Sequence, residues 1–296
     1  MPRYKAQPPV WVSNFHLRPD MVVERIYNAN ADHHRVPSNA WARFEQPNND
    51  TKGEMSKNAV RKLKSALLWL VASAEWKRFY HKSHQKYYWF QLTFVTLTIP
   101  DQGEKTDQQI KAMMNSFLMS AKHVFGLRAY CWRAEPQKRG AIHIHLTADC
   151  FMHWKELRHL WNRHLKKHSL LGGHTNPNST DIHSLKSIRN IVAYLVDYYT
   201  KKSEGRREIK GRLWGCSHNL TQARKTSLEC FPDKAEEVSK AVAEVVECWE
   251  QKDFGNIAYA PWEWWKNIKH PTIKSIMEQT FRTIRYQKTT QEIDIM

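Results

Sequence analysis

His143 and His145 stand two positions apart, and Tyr194 and Tyr198 stand four apart about fifty residues later. Side chains alternate along a strand, so the two histidines share a face and can bind one cation. Residues i and i+4 stack on one face of a helix, so Asn190, Tyr194, Tyr198 and Lys201 or Lys202 line one side. Val192, Leu195, Val196 and Tyr199 line an apolar side, which makes Tyr199 the expected packing tyrosine. A phenolate can attack a phosphodiester and form a covalent phosphotyrosine. A free phenol titrates only near a pH of about 10, so it needs a nearby cation or a developing charge to activate it. Lys201, three residues after Tyr198, suits that task by holding the phosphate.

The histidine pair is weak by itself. With 16 histidines in 296 residues, chance alone supplies about one His-x-His, and two half-buried strand histidines would look the same. Glu135 adds a third donor. A turn over Lys138, Arg139 and Gly140 makes residues 128–149 a hairpin and places Glu135 across from the pair. Two imidazoles and a carboxylate suit Mg²⁺ or Mn²⁺ and do not exclude Zn²⁺. Such a cation polarises a scissile phosphate. Competing groups are poorer. His164 and His168 sit among Arg158, Arg163, Lys166 and Lys167 and read as a solvated cationic face; His33, His34, His81 and His84 have no carboxylate partner in reach of pattern reasoning.

The elements that must position these groups follow from periodicity. Val60, Leu63, Leu67, Leu70 and Val71 mark a helix within 55–80, whose basic residues Lys57, Arg61, Lys62 and Lys64 lie mostly off the stripe. It reads equally as a packing helix or a DNA-contacting one. From residue 86 strands and helices alternate. Strands are expected at 90–99, 128–135, 141–149, 180–185 and 211–216, with helices at 105–124, 153–169 and 187–202. Residues 1–50 look like an irregular arm with a short helix. Residues 221–252 look helical, with a capping box from Asp233 and Glu236 and a stripe running from Val238 to Trp249. The fold class is α+β, in three regions: a basic, mainly helical 1–85, a catalytic 86–220 and a helical 221–296.

Forty-six Lys and Arg against 29 Asp and Glu leave a formal charge of +17, which favours a polyanionic partner. The excess concentrates near the tyrosines: residues 185–225 hold ten Lys and Arg against three acids, a plausible track for a phosphate backbone. Lys186, Arg189, Arg206, Arg207 and Lys210, with Lys138 and Arg139 in the turn, are the candidate nucleic-acid contacts. The five cysteines show no C-x-x-C and no disulfide-like spacing, and no signal peptide is apparent; a reducing cytoplasm and no membrane partner are expected. No G-x-x-x-x-G-K-[ST] loop occurs, so no fused motor is expected.

Taken in order, these motifs resemble the HUH endonucleases, and among them the two-tyrosine rolling-circle replication initiators (Rep proteins) of small circular single-stranded DNA phages and plasmids. Phe94-Val-Thr-Leu-Thr98 matches the family's strand motif, His143-Ile-His145 its metal motif, Glu135 its acidic ligand, and Tyr194, Tyr198, Lys201 and Lys202 its Y-x-x-x-Y-x-x-K-K pattern. Tyrosines after histidines is the initiator order; relaxases have the reverse. The resemblance covers about 86–216. It implies a ferredoxin/RRM-like core with a five-stranded antiparallel sheet, metal-dependent nicking, a 5′-phosphotyrosine link and a free 3′-OH for priming. It also implies origin single-stranded DNA as substrate, a host helicase and polymerase as partners, and a bacterial host cell. Asp197, between the tyrosines, departs from the small or basic residue common there. Two alternatives stay open: a two-tyrosine HUH transposase, and a non-catalytic basic nucleic-acid-binding protein using Tyr87, Tyr88, Trp89 and Phe90 to stack bases.

Overall fold

The computed structural model describes residues 8–30, 55–81, 84–100, 107–137, 142–185, 191–200, 209, 213–261 and 263–286. The chain divides into two compact units, one of residues 1–47 and 222–282, the other of 48–221 and 283–296. Residues from the first 47 positions and from 222–282 therefore fall in one unit, while 48–85 and 283–296 fall in the other.

That first unit corrects the expected mainly helical N-terminal region. Strands β1 (Trp11–Leu17) and β2 (Met21–Asn28) pair antiparallel over their full length. Their period-two signal is masked because polar residues occupy the buried face. Ser13 Oγ donates to Glu24 Oε1 at 2.8 Å, and Asn256 Nδ2 donates to Glu24 Oε2 at 2.7 Å, so a buried carboxylate is satisfied inside the sheet.

The C-terminal region is corrected too, since 221–252 is not one helix. A short helix runs over His218–Ala223. Strand Ser227–Cys230 follows, then a helix over Pro232–Ala243, and then a hairpin of Cys248–Lys252 with Gly255–Tyr259. With β1 and β2 these three strands form a five-stranded sheet. Trp249 sits on a strand opposite Ala258, not on a helical stripe. Pro232 fixes the start of its helix, so Asp233 lies inside the first turn, and the cap residue Phe231 makes no side-chain bond. Gly255 has φ +138, and a Cβ there would meet the Glu24 carbonyl oxygen at 2.3 Å, so the hairpin requires glycine.

In the second unit the α+β expectation holds. Helix α1 (Lys57–Ser73) starts where Ser56 Oγ accepts from the Ala59 N–H at 3.2 Å. Hairpin β3 (Lys77–His81) and β4 (Lys86–Phe90) follows. Then come β5 (Thr93–Ile99), α2 (Asp107–Phe125), β6 (Tyr130–Pro136), β7 (Ile142–Ala148) and α3 (Trp154–Lys167). Next are β8 (Thr180–Ser184), α4 (Ile191–Thr200) and β9 (Trp214–Cys216). The main sheet is five-stranded and antiparallel in the order β8-β5-β7-β6-β9.

The two faces of this sheet differ in chemistry. Val95, Leu97, Ile142, Ile144, Leu146 and Ala134 point to one side, where they join α2 and α3 in the core. Phe117 of α2 meets Trp161 of α3 edge-on at 4.9 Å, and Trp161 Nε1 donates to the Thr98 carbonyl at 2.9 Å. His164 is buried here and is not on a solvated face. It bonds Ser116 at 3.1 Å and Ser120 at 3.0 Å, and burial, then the charges of Arg163, Lys167 and His168, lower its pKa. Helix α1 packs against α4, β6 and β9, with its basic residues Lys57, Arg61 and Lys64 exposed. No helix among the described residues is long and apolar enough to cross a membrane.

Candidate functional site

The other face of the sheet carries the residues singled out for chemistry. Strand register arranges them in rungs. Thr98, His143 and Glu135 lie side by side; Asp181, Thr96, His145 and Arg133 form the next rung; His183, Phe94, Thr147 and Cys131 the third. Alternation along each strand puts all of these on one side. The hairpin expected to place Glu135 opposite the histidine pair does so, with its turn outside the described residues.

His145 is 3 % exposed. Its Nε2 lies 3.3 Å from Glu135 Oε2, and its Nδ1 lies 3.1 Å from Thr96 Oγ1. Both ring nitrogens are therefore oriented, one by a carboxylate and one by a hydroxyl. His143 Nδ1 is 3.0 Å from Gln137 Nε2, and the two histidine rings stand 6.0 Å apart. Burial would raise the Glu135 carboxyl, but the hydrogen bond from His145 and the charges of Arg133 and both histidines outweigh it, and the net shift is downward. Glu135 therefore stays ionised.

Among the described residues no group of three or more His, Cys, Asp or Glu side chains is gathered closely enough to hold a metal ion. Glu135 and His145 meet directly, and His143 shares their face, beside Glu135 and one rung from His145. The donor set of one ionised carboxylate and two imidazoles fits a divalent cation in its chemistry.

Helix α4 brings the tyrosines to this face. The Tyr198 ring stands edge-on to His145 at 4.8 Å and to Phe94 at 5.1 Å, and Tyr194 lies one turn further out, 6.1 Å from Tyr198. Tyr198 is half-buried and Tyr194 is exposed. Burial, then the charge of Glu135 and then Tyr194, raise the Tyr198 phenol; Arg133 and a hydrogen bond with Thr96 only partly offset them. Tyr199 is fully buried and faces the sheet. Its hydroxyl lies 3.0 Å from Thr147 Oγ1, 3.0 Å from the Cys131 carbonyl and 3.2 Å from the His145 carbonyl. Replacing Tyr199 with phenylalanine removes these bonds without removing the ring. The expected cost is about 1–2 kcal/mol of stability, read by denaturant unfolding. The ring contacts of Tyr198 with His145 and Phe94 are expected to survive it.

Arg133 was not singled out from sequence. It is 7 % exposed, and its Nη1 donates to the Tyr199 carbonyl at 2.6 Å and reaches the Tyr198 carbonyl at 3.4 Å. A buried guanidinium thus caps the last turn of the tyrosine helix, where carbonyls lack intrahelical donors. Asp181 and His183 were missed as well. They form an exposed pair at 3.1 Å on β8, and the His183 ring lies 5.8 Å from Phe94. The signal was available in Asp181-Ile-His183, which repeats the alternation of His143-Ile-His145.

Lys201, Lys202, Lys138, Arg139, Lys186, Arg189, Arg206, Arg207 and Lys210, the proposed phosphate and nucleic-acid contacts, lie outside the described residues. No curated protein and no solved structure matches the chain. Residues 92–203, which hold every site residue placed on this face, match the family model described as replication-associated protein ORF2/G2P, and this segment is similar to replication-associated proteins.

Proposed function

We propose that the protein is a replication initiator that nicks and rejoins single-stranded DNA at an origin through a covalent 5′-phosphotyrosine. The observation that carries this is the position of Tyr198, with its ring 4.8 Å from His145, which in turn contacts Glu135. Such a cluster, lying inside a segment similar to replication-associated proteins, is what tyrosine-dependent strand transfer needs.

In the first step Tyr198 Oη bonds to the scissile phosphorus and gives up its proton. The bond from phosphorus to the 3′ oxygen breaks, and that oxygen takes up a proton. One phosphodiester is exchanged for another, so rejoining is the reverse reaction and no nucleotide cofactor is consumed. Glu135, His143 and His145 are the residues that would hold a Mg²⁺ or Mn²⁺ ion, whose chemistry is to polarise the phosphate and neutralise its charge. The chain's own residues do the remaining work. Thr96 orients the His145 ring, and Phe94 stacks on His145 and meets the Tyr198 ring edge-on. Arg133 fixes the helix that carries the nucleophile. Lys201 and Lys202 are assigned to the phosphate, and Tyr194 is placed to accept the second ester. The free 3′-OH suits a polymerase, and unwinding falls to a separate helicase.

Incubation with labelled circular single-stranded DNA and Mn²⁺, followed by denaturing electrophoresis, is expected to show a covalent protein–DNA adduct that chelator abolishes. Binding without any adduct, under any divalent metal, would leave only the non-catalytic reading.

A further inference from the structure

The hairpin β3–β4 lies just before the segment similar to replication-associated proteins and has no part in the cluster described above. Residues 76–90 contain seven Phe, Trp or Tyr and four Lys or Arg, with no Asp or Glu. The register pairs Arg78 with Trp89 and Tyr80 with Tyr87, so these four side chains share one face. That face is open: Tyr80 is 48 %, Tyr87 53 % and Trp89 56 % exposed. The Arg78 guanidinium sits over the Tyr87 ring at 4.3 Å, and the Tyr80 and Tyr87 rings are 5.0 Å apart. The opposite face holds the hairpin to its own unit. Lys77 Nζ donates to the Asp149 carbonyl, and Phe90 meets Phe151 at 5.4 Å.

An isolated two-stranded hairpin is marginally stable, and three large aromatics on its solvent side add nothing to a core. An exposed aromatic row of this kind marks a binding surface. We infer that Tyr80, Tyr87 and Trp89 form a stacking platform for the bases of single-stranded DNA, with Arg78 attracting the backbone. Aromatic rings accept any base by its π face, and cations without acids suit a polyanion more than a protein. The hairpin would grip the strand outside the cleavage site without reading its sequence. The choice of single-stranded DNA rests on the proposed function, but the test below is read without cleavage.

The test is fluorescence anisotropy of labelled oligothymidine with the full chain in EDTA. The Tyr80→Ala, Tyr87→Ala, Trp89→Ala triple variant is expected to bind about a hundredfold more weakly. The corresponding triple phenylalanine variant, which keeps the rings, is expected to stay within about threefold of the parent protein. Affinity for a duplex of the same length should change little in either. Unchanged oligothymidine affinity in the alanine variant overturns the proposal, and is the outcome expected of a docking surface for another protein. Equal losses on single strand and duplex, or equal losses in the alanine and phenylalanine variants, overturn it as well. If the triple alanine variant melts early, the three single alanine variants are measured in its place under the same criteria. Failure of the parent protein to form an adduct with Mn²⁺ overturns nicking alone, and the anisotropy result still decides the platform.

Discussion

Replacing Tyr198 with phenylalanine is expected to lower covalent adduct formation by roughly four orders of magnitude or more, the scale on which loss of a catalytic nucleophile acts. Phenylalanine keeps the ring contacts with His145 and Phe94, so the fold and DNA binding should survive while the attacking oxygen is gone. Tyr194→Phe should behave differently. Tyr194 lies one turn further out and is exposed, so its loss should leave the first adduct within about tenfold and block a second transfer that needs another ester acceptor. The pH dependence follows from the environment of Tyr198. Burial, Glu135 and Tyr194 hold its phenol above the ordinary value of about 10. Adduct formation should therefore accelerate as pH rises through the neutral range, because each increment ionises more of a mostly protonated group. Single-turnover adduct assays on the two single variants and the double variant decide the matter. Full activity in the double variant would exclude both tyrosines.

Replacing Arg133 with methionine is expected to destabilise the unit that contains it by about 3 kcal/mol, because removing a buried charged donor leaves buried carbonyls unsatisfied. Burial lowers the Arg133 pKa, with Glu135 and the tyrosines opposing that shift, so holding the charge there already has a cost. The carbonyls of Tyr198 and Tyr199 would lose their donor, and methionine offers none in its place. For a unit of this size the loss corresponds to about 6–12 °C in unfolding temperature. Adduct formation should fall as well, with oligonucleotide affinity little changed, since Arg133 acts by positioning the end of α4. Lysine should recover part of the stability, because it restores a charge without the forked guanidinium geometry. An unchanged melting temperature in the methionine variant would show that α4 holds its position without this contact.

The middle of the chain was legible because its buried face is apolar without interruption. Val95, Leu97, Ile142, Ile144 and Leu146 alternate with polar partners, so strand positions and facing could be read directly. The same alternation put His143, His145 and Glu135 on one side, and helical phase separated buried Tyr199 from Tyr194 and Tyr198. The first unit was not legible for the complementary reason. Ser13 and Glu24 sit on its buried face and bond to each other, and Glu24 also accepts from Asn256, more than two hundred residues away. A pattern that depends on a remote partner cannot show up as local periodicity.

Sequence by itself determined which side chains share a face, because strand and helix periods are local properties of the backbone. It determined the basic excess and the pairing of one hairpin, which brought Glu135 to the histidines. Only the tertiary structure decided that α4 lies over this sheet with Tyr198 against His145. Only there does Arg133 become a cap for the tyrosine helix, since its carbonyl partners are more than sixty residues distant. Side-chain direction follows from a few neighbouring dihedral angles. The meeting of a strand face with a helix end depends on how the whole core packs.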